Sequence, residues 1–220
     1  MKVEYSIDDL ILYGDDQHIV INKPPGVPVQ SDQSGDWNLS DALMGHVGYP
    51  VYLINRLDRP VSGAVLFALS KNHYHKIMNK WNGPDSLKMY VAIIEGNWKA
   101  TDLIIEEKLK KGRNHKAIVH PEGKLSRMMV SSFPIYDRYS LCTVHLMSGR
   151  FHQIRALLSH HDHIIKGDVK YGARRKNQDR SIHLHCYQLK IHGIIDIKSP
   201  FPKEDVLWKK AEEFLLNKGF

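Results

Sequence analysis

Only two cysteines, Cys142 and Cys186, occur in 220 residues, and they form no CxxC pair. That excludes a disulfide scaffold and a thiol-based metal clip. Both sit among apolar or β-prone neighbours, where a free cysteine behaves as a small buried hydrophobe. Long apolar runs are also missing: the longest, Ala64 to Leu69, falls far short of the roughly 20 residues a bilayer-crossing helix needs. The opening stretch MKVEYSIDDLILYGDD places acids early and holds no apolar core of signal-peptide length. A protein of the reducing cytoplasm, with no membrane association, is expected. Neither a GxGxxG nor a P-loop pattern appears, so a nucleotide cofactor has no support. Repeats, low-complexity tracts and Ser/Gly-rich linkers are absent as well, so residues 1–220 are read as a single domain.

What is present is ordinary globular material with a basic bias. Hydrophobic residues make up 42% and charged residues 25%, which argues against disorder. Lysine and arginine outnumber the acids by 31 to 24, for a net charge of +7 and a pI near 9.3. Clustered cations gain affinity for a phosphate backbone by releasing its condensed counterions. An excess of this size fits a polyanionic partner and a merely basic soluble surface equally well.

The pattern along the chain mixes strands with helices. His18 to Asn22 reads as a short strand stopped by Pro24-Pro25-Gly26, and Ala64 to Leu69 as a strand covered on both faces. Lys71 to Trp81 reads as a helix ended by Gly83 and Pro84. Lys88 to Ile94 is a strand with Lys88, Tyr90, Ala92 and Ile94 on one face. Met128–Ser132 and Tyr139–Met147 read as paired strands. A helix is expected from about Phe151 to His160, with Ile154, Leu157 and Leu158 as its apolar stripe. His183 to Ile191 is a further strand, and Val206 to Leu216 a closing amphipathic helix. The basic run Lys108 to Lys116 reads as a loop. The class implied is α+β, a mixed and mostly antiparallel sheet with flanking helices.

The segment richest in chemistry is Asn55-Arg56-Leu57-Asp58-Arg59-Pro60-Val61-Ser62-Gly63, just before the buried strand. Cations on both sides of Asp58 favour its ionised form, which a nucleophile or base requires. An isolated RLDR tetrapeptide is more often an exposed ion pair in a loop. Here the agreement is longer: RLDRPVSGAVLFALSK resembles the catalytic segment of the RluA family of RNA pseudouridine synthases. Asp16 to Gly26, Lys88 to Ala92, Gly149 to Arg155, Ile165 to Gly172 and His183 to Cys186 resemble further family blocks, in the family's order.

The resemblance implies a single-domain pseudouridine synthase fold and an RNA substrate, tRNA or ribosomal RNA, with no cofactor, no metal and a monomeric protein. It assigns Asp58 as the catalytic carboxylate, Tyr90 as the active-site tyrosine and Arg155 as the partner that keeps Asp58 charged. Arg56, Arg59, His152, Gln153 and Ile154 are carried over as substrate-binding residues. Asn55 departs from the His that many members place there, which points to a changed RNA contact. The chain begins almost at the opening strand, so the compact class without an N-terminal S4 domain is expected. His160-His161-Asp162-His163 and His183-Leu184-His185-Cys186 offer metal-ligating atoms, but both are read as structural. A non-catalytic RNA-binding protein on the same fold, and a metal-dependent hydrolase, are the competing readings. The first would have no need of Asp58, Tyr90 and Arg155 together. Two basic stretches, Lys108 to Lys116 and Arg174 to Arg180, are candidates for phosphate contact.

Overall fold

A computed structural model describes residues 5–202 and 205–219. In chain order these form β1 (Ile11–Gly14), β2 (His18–Lys23), α1 (Leu39–Val47), β3 (Tyr52–Leu53), β4 (Ser62–Ala68), α2 (Lys71–Trp81) and β5 (Ser86–Glu95). Then come β6 (Ala100–Lys111), β7 (Ala117–Val119), β8 (Lys124–Tyr136), β9 (Tyr139–Leu146), α3 (Gln153–His160), β10 (Leu184–Ile191), β11 (Ile195–Lys198) and α4 (Val206–Lys218). They gather into two compact units, Met1–Leu87 with Cys186–Pro200, and Lys88–His185 with Phe201–Phe220. Of the three crossings, two fall inside strands, β5 and β10, and the third lies between β11 and α4, so no long linker marks them in the sequence.

In the first unit β2 pairs antiparallel with β1 and with β4, the latter in register from His18↔Ala68 to Lys23↔Gly63. Every residue of β4 is buried, as its uninterrupted apolar run predicts. Asn38 caps α1 by accepting from the Asp41 amide, and Ser70 caps α2 by accepting from that of His73. Each satisfies an amide that the first helical turn leaves without a partner. The apolar centre includes Ile21, Leu39, Leu43, Leu66, Phe67 and Ile77, all fully buried.

In the second unit the sheet runs β5-β9-β8-β6-β7, each neighbouring pair antiparallel. Met128 faces Leu146 across the β8–β9 pair that the sequence predicts. Helix α3 packs on β6 and β7 through the expected stripe, with Ile154, Leu157 and Leu158 buried. Helix α4 lays Phe214 on Phe133 at 5.1 Å and Trp208 on Phe201 at 5.1 Å. The α+β reading with mostly antiparallel pairing is what the chain forms.

The basic run expected as a loop needs correction. Lys108 to Lys111 lie on β6, a twelve-residue strand, and the turn begins only at Gly112. Only Ile105 and Leu109 of β6 are buried, so alternation is too weak to reveal a strand by pattern. Cross-strand partners hold it instead, Ile105 opposite Met128 and Lys108 opposite Leu125.

Candidate active site

The loop bearing Asp58 is fastened at several residues. The Asn55 side chain donates to the Ala64 carbonyl at 3.1 Å and accepts from the Leu66 amide at 2.8 Å, which ties the loop to β4. Asn55 is buried, and its amide is engaged by this strand. The Asp58 carbonyl accepts from the Val61 amide at 3.0 Å, closing a turn around Arg59 and Pro60. The Arg59 carbonyl accepts twice, from the Gly26 amide at 2.7 Å and from Lys23 Nζ at 3.0 Å.

Lys23 is fully buried, and its ammonium also donates to the carbonyls of Pro24 at 2.9 Å and Val27 at 2.8 Å. Three N–H donors thus meet three carbonyls, which matches the full capacity of an ammonium. Burial pushes its pKa down to about 7, and the charge of Asp58 opposes that shift.

The flanking arginines differ. Arg56 is exposed, whereas Arg59 reaches Asp36 at 2.9 Å, Asp32 at 3.3 Å and the Ser34 hydroxyl at 2.7 Å. The Asp32 carboxyl is held below its usual range, first by the Ser34 hydroxyl and amide and then by Arg59. Gly63, at φ +112°, ends this segment where the backbone of Cys186 passes; a Cβ there would lie 2.4 Å from the Cys186 carbonyl oxygen.

The second unit holds the remaining expected residues. Tyr90 is buried on β5, opposite Val144 of β9. Arg155 on α3 is 4% exposed, so it is no solvated helix-surface residue. Its guanidinium forms a two-pronged pair with Asp168, Nε to Oδ2 at 2.7 Å and Nη2 to Oδ1 at 2.9 Å, and covers the Tyr171 ring at 5.0 Å. Asp168, 1% exposed, accepts this fork and takes the Tyr171 and Ala173 amides on its carbonyl.

His152 occupies the left-handed region at φ 51° just before α3, stacks on Phe151 at 3.8 Å and meets the Tyr171 hydroxyl at 2.9 Å. Gln153 and Ile154 are buried. The Gln153 side chain accepts from Ser148 Oγ and the Arg150 amide and donates to the Arg127 carbonyl, bracing the turn from β9 into α3. Residue reasoning did not single out Lys23, Asp168 or Tyr171. Their signals were a lysine ending an apolar strand and the Gly-Asp-x-x-Tyr-Gly spacing of Gly167 to Gly172.

A family model described as RNA pseudouridylate synthase matches residues 17–160. The chain belongs to that family. Residues 17–160 take in the Asp58 loop, β5 with Tyr90 and the whole of α3. Among curated relatives, tRNA pseudouridine synthase C of Pectobacterium carotovorum subsp. carotovorum is 29% identical over 200 residues, 83% of this chain and 53% of that protein. Against this relative, then, the chain spans about half the length. Ribosomal large subunit pseudouridine synthase C of Buchnera aphidicola is 28% identical over 213 residues, 94% of this chain and 68% of that protein. The solved structure of human RNA pseudouridylate synthase domain containing 4 shares the fold, with a TM-score of 0.74 and 21% identity over 96% of this chain and 94% of that one. No described helix is long and apolar enough to cross a membrane.

Proposed function

We propose that this chain isomerises uridine in a transfer or ribosomal RNA to pseudouridine, with Asp58 acting at C1′ of the target nucleotide. The observation that carries the reading is family membership over a segment that includes the RLDR loop. In the reaction the base leaves C1′, turns and rejoins through C5, so atoms are rearranged with no change of oxidation state. A carboxylate suits the step because it can trap or stabilise positive charge at C1′, or remove a sugar proton. The Asp58 loop is anchored by Lys23, Gly26 and Asn55, the positional rigidity that such chemistry needs.

Tyr90 would stack on the released uracil and use its phenol near the C5 proton. Arg155, gripped by Asp168, would serve as the cationic partner of the catalytic carboxylate. Arg56, exposed on the same loop as Asp58, would contact the extruded nucleotide. Arg59 and His152 would act at the margin of the substrate, and Gln153 and Ile154 would support it through the α3 turn.

The test is single-turnover tritium release from C5-labelled RNA, comparing wild type with Asp58→Asn. The variant should fold and bind RNA normally while its rate falls by at least about a hundredfold, as expected when a nucleophile is removed. Residual turnover near the wild-type rate would remove Asp58 from the chemistry. RNA binding without turnover in the wild type would favour the non-catalytic alternative.

A further inference from the structure

The chain's cations are not equally available. Arg59 is held by Asp32 and Asp36, Lys110 by Glu122 at 2.6 Å, and Arg127 faces Glu106 at 3.5 Å. Lys111 lies over the Phe151 ring at 5.9 Å and Lys116 over the Tyr171 ring at 5.6 Å. Arg174, Arg175, Lys176 and Arg180 differ: all four are exposed, and none has a hydrogen bond, ion pair or ring contact from its side chain among the described residues. The segment that carries them is nevertheless tightly held.

Its pin is Asn177. The Asn177 Oδ1 accepts from Lys166 Nζ at 2.8 Å, and Nδ2 donates to the Ser181 carbonyl and hydroxyl, both at 3.1 Å. Lysine only donates and a carbonyl only accepts, so this environment permits one orientation of the amide. Asn177 Nδ2 also lies 3.1 Å from His183 Nδ1, and His183 Nε2 lies 3.2 Å from Asp205. Room for the pin comes from Gly167, at φ +85°, where a Cβ would stand 2.7 Å from Asn177 Nδ2.

The segment is shaped on both sides of that pin. Asp179 folds it back by accepting the Ser181 amide at 3.0 Å and hydroxyl at 2.7 Å. Arg180 adopts φ 60° while its amide donates to the Asn177 carbonyl at 3.1 Å. A non-glycine residue there strains the backbone, and such strain persists only where surrounding structure imposes it. At its root the Ala173 amide donates to the carbonyl of Asp168, the residue that grips Arg155.

We infer that the segment 174–181 is a preformed grip for RNA backbone phosphates, and that Asn177 is the residue that shapes it. This rests on the RNA-directed reading above and names the surface that would serve it. Four cations displayed without protein counterions on a fixed backbone bind phosphates without first breaking an ion pair or ordering a loop. The run 108–116 is a weaker competitor, because Lys110, Lys111 and Lys116 already have partners and Lys108 to Lys111 extend along a strand.

The experiment measures binding of unfractionated tRNA across a salt series for the wild type and three variants, with pseudouridine formation assayed in parallel. The grip variant is Arg174→Gln/Arg175→Gln/Lys176→Gln/Arg180→Gln, and the comparison variant is Lys108→Gln/Lys110→Gln/Lys111→Gln/Arg113→Gln. Each lost phosphate contact lowers the slope of log Kd against log salt by roughly 0.7–0.9, so the grip variant should lose about 3 and bind at least about tenfold more weakly near physiological salt. The comparison variant should lose about 1 at most. The third, Asn177→Ala, keeps every cation; it should still bind several-fold more weakly, and trypsin should cut it at Arg174 to Lys176 faster than it cuts the wild type.

A grip variant with wild-type affinity and slope overturns the inference, as does a larger loss in the comparison variant. Asn177→Ala with unchanged affinity and unchanged trypsin sensitivity overturns the shaping role. Wild-type protein that binds tRNA through this segment but forms no pseudouridine would sink the catalytic reading alone. Protein that binds no tRNA would sink the grip.

Discussion

At the scale of single residues, the least expected feature is the buried ammonium of Lys23. Its three carbonyl partners belong to Pro24, Val27 and Arg59, so one side chain ties the end of β2 to the Asp58 loop. Lys23→Met keeps the stem but leaves the Pro24 and Val27 carbonyls without this donor, while the Arg59 carbonyl keeps the Gly26 amide; an unsatisfied buried group costs about 1–3 kcal/mol. The variant should lose several kcal/mol of stability, of order ~3, and turn over more slowly than it loses RNA affinity. Urea unfolding and single-turnover rates check this.

A pH signature accompanies the same residue. The folded pKa lies near 7, against 10.5 for the free side chain, so between those values the unfolded chain binds a proton that the folded chain has released. Stability therefore rises with pH across that window. The wild-type advantage over Lys23→Met should widen from pH 7 toward pH 10. A constant difference would show that Lys23 does not titrate there.

At the scale of elements, the loop before β4 depends on close backbone approach at Gly63. A methyl group at that position would lie 2.4–2.9 Å from the backbone N, C and O of Cys186 on β10, at a φ of +112° that side chains rarely adopt. Backbone atoms of a paired strand cannot step aside as a flexible side chain can. Gly63→Ala should thus cost more than about 3 kcal/mol, at the large end of single-substitution effects, or leave the protein insoluble. Thermal unfolding decides, and a variant within two degrees of wild type would mean that the strands part easily. The elements also show where pattern reading stops: α2 was legible to its last residue because Gly83 and Pro84 stop it, and the structure adds a Ser70 cap at its start. Strand β6 was not, because most of its side chains are exposed and its order comes from β8 and β7.

At the scale of the whole molecule, the 14 histidines are the feature most open to a rival reading. The structure places those of the two suspect runs in packing and polar contacts. His163 stacks on Trp98 at 3.6 Å, His161 sits 3.7 Å from Glu107, His183 stacks on Trp208 at 5.1 Å and His185 tilts against Phe201 at 4.8 Å. Among the described residues no three His, Cys, Asp or Glu side chains are grouped to hold a metal ion. Prolonged dialysis against a strong chelator should leave the rate of pseudouridine formation unchanged, with added zinc giving no stimulation. Loss of activity restored by zinc would revive the hydrolase-type reading.

The sequence alone determined the class of fold, the order of most elements and the family, because buried runs, caps and the blocks around Asp58 and Arg155 are local patterns that survive without coordinates. It also marked Asp58 as the reactive carboxylate candidate through its place in a long matching segment. Tertiary structure decided which charges are internal and which are free. Arg155 belongs with Asp168 thirteen residues away, Lys23 with the Arg59 carbonyl thirty-six residues away, and Arg59 with Asp32 and Asp36 across a loop. The physical reason is that an ion pair or a buried hydrogen bond is specified by distance and burial, which have no period along the chain. The four cations of 174–180 look no different in sequence from the run at 108–116, and only the partners each run finds in space separate them.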